Sequence, residues 1–225
     1  KMPRQHGHFT VLTSVAKSEQ FKIMKTISSM RWRPSTAGLL LGTLCLAPVA
    51  IQAHVLPGAI GGLGAGLAHP LQGMDHLLAM VAVGLLAAQI GGRALWLLPA
   101  VFVGVMSVGA VAGGAGMALP LVEPMILLSL LVLGGLLVSA RAAGIGVTAA
   151  LVGGLALFHG HAHGTELATA GSSVYLVGMV TSTAALHGVG LALGLGARAL
   201  ARHQWIRFAG GGIAACGLML GLSLL

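Results

Sequence analysis

From residue 73 onward the chain is a series of long apolar runs separated by short breaks. Runs of a length that spans a bilayer, about 17–25 residues, fall at about 73–90, 94–113, 121–139, 143–161, 171–196 and 204–225. This pattern predicts an all-α, polytopic transmembrane helix bundle of about six spans. The segment before it, "GAIGGLGAGLAHP", is too short for a comfortable span. Its Gly58, Gly62 and Gly66 recur at i, i+4 and i+8 and form one small-residue stripe. We read it as a short re-entrant or surface helix packed on the bundle; the competing reading makes it a seventh span.

Composition strengthens the membrane assignment. Hydrophobic residues make up 56% of the 225-residue chain and charged residues 7%, with a mean hydropathy of +0.96, whereas a soluble domain is about one quarter charged. The 36 glycines suit helices that approach closely through small faces, since lipid offers no hydrophobic drive for their association.

The net charge of +8 suggests nucleic acid until it is located. Residues 1–33 carry +6, through Lys1, Arg4, Lys17, Lys22, Lys25, Arg31 and Arg33 against Glu19, and the remainder carries +2. The basicity belongs to the leader, and nucleic acid is dropped as a partner.

Within that leader, "RWRPSTAGLLLGTLCLAPVAIQA" has a basic start, an apolar core and a small residue at Ala53, the grammar of a cleavable signal peptide. The expected organisation is an upstream extension over 1–23 that is disordered, a signal peptide over 24–53 and a membrane domain over 54–225, with His54 as the mature N-terminus. An uncleaved first helix is the alternative. Cys45 lies in the leader and Cys216 in the body, so no intrachain disulfide is expected after cleavage.

The breaks also give an orientation. Arg93, Arg141, and Arg198 with Arg202 and Arg207 fall in every second connection, while 114–120 and 162–170 carry no Lys or Arg. By the positive-inside rule the arginine connections are cytoplasmic and the others face out. The expected location is the bacterial inner membrane, with the mature N-terminus outside.

Against this apolar background the polar residues stand out. The stretch "AHPLQGMDHLLAM" holds His69, Asp75 and His76, and Asp75 is one of only four acidic residues. A charge at membrane depth costs about 2.5 kcal/mol or more and usually lines a pathway or has a partner. With Pro70 as a first helical residue and His69 near the cap, His69 and His76 would project from nearly one helical face. Imidazole and carboxylate together suit Ni²⁺, Co²⁺, Zn²⁺ or Cu²⁺. The plainer alternative has Asp75 hydrogen-bonded to a neighbouring helix and the histidines structural.

A second group, "FHGHAHGTE", places His159, His161 and His163 at the outer end of the fourth span. Its glycine and alanine spacers would leave the backbone free to turn several imidazoles toward one ion; a flexible external tract that only concentrates metal is the competing reading. Glu123, between Pro120 and Pro124, lies at the outer end of the third span and is either a ligand or simply solvated. His187 falls about 22 Å into an outside-to-inside span at 1.5 Å per residue. It is either an inner relay or a buried histidine bonded to Thr181 or Thr183. His54, if cleavage exposes it, could chelate through amine and imidazole.

The stretch "HPLQGMDHLLAM" resembles the HPxxGxDHxLxM signature of the HupE/UreJ family, with His69, Pro70, Gly73, Asp75, His76, Leu78 and Met80 on signature positions. The resemblance extends from about residue 30 onward. It implies a small bacterial membrane permease for nickel or cobalt, associated with hydrogenase and urease maturation, in which His69, Asp75 and His76 are needed for transport. It also implies functional positions for Phe102 and Glu123.

The leading expectation is therefore import of a divalent metal, with Ni²⁺ or Co²⁺ as substrate and no tightly bound cofactor. Ions would be captured by the outer histidines, partly dehydrated at His69, Asp75 and His76, and passed inward near His187. An intramembrane metalloenzyme and a metal-sensing subunit without transport are the alternatives. No HExxH pattern supports the enzyme, and Glu123 or Glu166 would have to act as a distant base. No GxxxxGK[ST] sequence occurs, so the energy source, a separate energising partner and the oligomeric state are left open.

Overall fold

The computed structural model describes residues 62–139, 144–170 and 173–223. The proposed extension, the signal peptide, His54, Gly58 and Arg141 lie outside the described residues. Among the described residues seven helices follow one another: α1 (Gly62–Gln72), α2 (Met74–Ile90), α3 (Ala94–Gly114), α4 (Val122–Ser139), α5 (Ile145–Ala170), α6 (Ser173–Ala199) and α7 (His203–Leu222). Helix is what an apolar medium demands, because each backbone N–H and C=O must pair within its own segment.

Five of these helices, α3 to α7, are long and apolar enough to cross a membrane, and α1 with α2 forms a further bent pair. This is the architecture of a multi-pass membrane protein. Its outer faces carry apolar residues such as Val108, Val111, Val177, Val189 and Leu193, which suits contact with lipid. Its interior is built from Met80, Leu98, Phe102, Met106, Leu130, Leu133 and Leu137, all fully buried.

The α1–α2 junction departs from the sequence expectation. Pro70 does not open a helix; it lies inside α1. The break comes at Gly73, which is extended (φ −98°, ψ 120°), and the two helices meet at 83°. His69 and His76 therefore sit on different helices on either side of a corner. The peptide N–H of Leu77 is taken up by the Gly73 carbonyl at 2.9 Å, so α2 starts cleanly after the break.

Close approach of backbones sets the pairing of helices. Side-chain carbon added at Gly160 or Gly164 of α5 would collide with the Met106 or Ala110 carbonyl of α3, and at Gly109 or Gly113 of α3 with the Leu157 or His161 carbonyl of α5. Glycines four apart on both partners thus bring α3 and α5 into backbone contact. The same device joins α2 to α6 through Gly84 and Gly190, and α1 to α6 through Gly66 and Gly178.

The arginines gather at one end. Arg198 at the end of α6 donates to the Ala88 carbonyl of α2 at 2.5 Å, and Arg207 of α7 donates to the Val138 carbonyl of α4 at 2.9 Å. Both receive carbonyls from the last turn of a helix, where cations are favoured.

Candidate metal centre

The histidine-rich stretch is not a flexible tract. Residues 159–166 continue α5 without a break to Ala170, because the glycines that could loosen the backbone are held against α3. A helical turn then decides which imidazoles act together. His159 and His163, four apart, face one way; His161 faces another, where its Nε2–H donates to the Met117 carbonyl in the α3–α4 connection at 2.6 Å. The structure brings His159 and His163 together with the His69 and His76 of α1 and α2, and leaves His161 out.

Four imidazoles form a continuous stack. Ring centroids lie 4.7 Å apart for His69 and His163, 4.6 Å for His163 and His76, and 5.1 Å for His76 and His159. At the open end, one donor atom each of His69, His163 and Glu166 lies within 4.8 Å of the other two. His69 Nε2 is 2.9 Å from Glu166 Oε2, and His163 Nδ1 is 3.8 Å from the same oxygen. The Tyr175 hydroxyl of α6 donates to that carboxylate at 3.4 Å, and its ring stands 5.8 Å from that of His69.

The two ends of the stack differ in exposure. The Glu166 and His69 side chains are 51% and 24% exposed, that of His76 13% and that of His163 1%; His159 is fully buried. The group is half-exposed at Glu166 and fully buried at His159.

Hydrogen bonds to one nitrogen set the other free. Asp75 Oδ1 accepts from the His76 backbone N–H at 2.8 Å and lies 3.0 Å from His76 Nδ1. A carboxylate can only accept, so Nδ1 carries the proton and Nε2 presents a lone pair. The Leu155 carbonyl does the same for His159, accepting from Nδ1 at 3.1 Å. The resulting Nε2 atoms of His76 and His159 are buried and have no hydrogen-bond partner among the described residues, and the same holds for both nitrogens of His163. Buried polar atoms are normally paired; here several nitrogens on neighbouring imidazole rings are not. Asp75 thus orients His76 rather than joining the three-donor group. Gly73 makes room for it, since a Cβ there would come within 2.7 Å of Asp75 Oδ1.

Phe102 lies directly below, with its ring centroid 5.6 Å from His159 and 5.0 Å from His187. It is fully buried. Neither nitrogen of His187 has a hydrogen-bond partner among the described residues; Thr181 instead donates to Val177 and Thr183 to the Met106 sulfur. The alternative of a hydroxyl-bonded histidine is not what the structure contains. Glu123 is exposed in the first turn of α4 and lies outside the three-donor group.

Sequence reasoning missed Glu166 and Tyr175 as members of the site. The signal for Glu166 was present: on a helix, a residue three beyond His163 returns to the same face. For Tyr175 no local signal exists, because its place is set by how α6 packs on α1 and α5.

Residues 41–220 match the family described as "HupE / UreJ protein". The chain is 44% identical over 181 residues to "Protein HupE" of Rhizobium leguminosarum bv. viciae, covering 80% of this chain and 94% of that protein. No solved structure matches it. With the signature histidines in the stack and the family match running through every helix described, the chain belongs to the HupE/UreJ family.

Proposed function

We propose that this protein is a permease that takes a divalent transition metal ion, Ni²⁺ or Co²⁺, from the outer side of the bacterial inner membrane to the cytoplasm, for metalloenzyme maturation such as that of hydrogenase or urease. The observation that carries the reading is the three-donor group of His69, His163 and Glu166 set above the unpaired imidazole nitrogens of His76 and His159. Donors arranged in series, from half-exposed to fully buried, suit an ion that moves. A hydrolytic metal site instead holds one ion with an open position for water.

The chemistry of each level follows from its donors. Glu166 offers a negative charge where the ion arrives hydrated. His163 lies between the His69 and His76 levels and can keep one bond while the others exchange. Asp75, hydrogen-bonded to the far nitrogen of His76, offsets the charge of a dication once water is lost. Imidazole and carboxylate hold borderline cations without the grip of thiolates, so release stays feasible. In this reading the arginine-rich end of the bundle faces the cytoplasm and the Glu166 mouth faces out. The signal peptide over 24–53, capture by His54, and a role for Glu123 remain part of the proposal.

The test is uptake of Ni²⁺ and Co²⁺ into vesicles that contain only this protein, with and without an imposed potential. The wild type should accumulate metal, and Asp75→Asn, which keeps the acceptor oxygen but removes the charge, should lose nearly all uptake. Absence of wild-type uptake together with a metal-dependent hydrolysis would replace the permease by an intramembrane enzyme.

A further inference from the structure

On the far side of Phe102 from His159 lies a further imidazole. His187 of α6 is 2% exposed, and both of its ring nitrogens lack a hydrogen-bond partner among the described residues. An imidazole always carries at least one N–H donor to satisfy, and burying such a group unpaired is costly. A packing residue would be cheaper as leucine. The ring meets that of Phe102 at 85° and 5.0 Å, and the backbone carbonyl of His187 is pressed on Gly84 of α2. One turn toward the mouth, Thr183 of α6 donates to the sulfur of Met106 of α3 at 3.8 Å. Two rungs, Phe102–His187 and Met106–Thr183, therefore join α3 to α6 at successive turns.

Resting on the permease reading above, we infer that His187 is a second, inner ion station, separated from the outer imidazole stack by the Phe102 ring. The ligand is the same borderline dication, bound by one imidazole while it keeps part of its water. The outer level has carboxylates at Glu166 and Asp75, whereas the ring shown against His187 is that of Phe102, which is neutral. A dication is held loosely there, as a step before release requires. Phe102 keeps the two levels from merging into one tight site, which would trap the ion.

The experiment compares equilibrium binding and flux of Ni²⁺ and Cd²⁺ in the full-length wild type, His187→Gln and His187→Cys, each first shown to have wild-type abundance and thermal stability. His187→Gln should bind Ni²⁺ at the outer group with unchanged affinity in detergent, yet carry it across vesicles about tenfold more slowly. His187→Cys should recover transport of thiophilic Cd²⁺ more than of Ni²⁺, a change of selectivity that loss of packing alone would not produce. Wild-type flux in His187→Gln, or equal loss of both metals in His187→Cys, overturns the inner station while leaving the permease reading intact. Failure of the wild type to transport any metal overturns both.

Discussion

His69 and Glu166 meet across the molecule, Nε2 of the first 2.9 Å from Oε2 of the second, although one is on α1 and the other near the end of α5. The contact joins the two polar motifs of the chain into one mouth. In the permease reading an arriving cation inserts between these two donors.

This pair predicts a coupling that can be measured. Glu166→Gln removes the charge but keeps the shape, and should weaken Ni²⁺ binding to the detergent-solubilised protein by at least about tenfold, or roughly 1.4 kcal/mol. His69→Ala should cost a similar amount, and the double variant less than the sum. Calorimetric titration of the four proteins gives the cycle; strict additivity would mean that the two residues serve different ions.

The neighbouring histidines of α5 should behave in opposite ways. His163→Ala removes a donor between two levels of the stack and should abolish tight metal binding with little loss of stability, since its nitrogens leave no bond behind. His161→Ala should leave metal stoichiometry unchanged but lose the bond to Met117 and lower stability by about 1 kcal/mol. Thermal unfolding and metal titration of both variants check this; loss of bound metal in His161→Ala would place that residue back in the site.

The orientation is open to labelling. In a background of Cys45→Ser and Cys216→Ser, a cysteine at Ala118, exposed in the α3–α4 connection, should react with an impermeant reagent from outside intact cells. One at Leu200, exposed beside the arginine-rich end, should not. Reaction at position 200 would put the Glu166 mouth on the cytoplasmic side and reverse the direction of transport.

The sequence by itself determined the class of protein and the chemistry at stake. Apolar runs of bilayer length leave no option but helices, because unpaired backbone groups are too costly in lipid. A carboxylate such as Asp75 in such a run must have a partner. These are properties of short stretches and survive without knowledge of the fold. What sequence could not decide was which side chains share a space. The corner at Gly73 moved His69 and His76 onto separate helices, where a continuous helix was expected. The glycine contacts that lock α5 to α3 turned a supposed flexible tract into a helix, and its period then divided His159 and His163 from His161. The roles of Glu166 beside His69, of Tyr175 above them, and of Phe102 between His159 and His187 depend on helices far apart in the chain. Tertiary packing alone sets those distances, since in lipid it is the fit of small faces, and not the apolar pattern, that chooses each helix's neighbour.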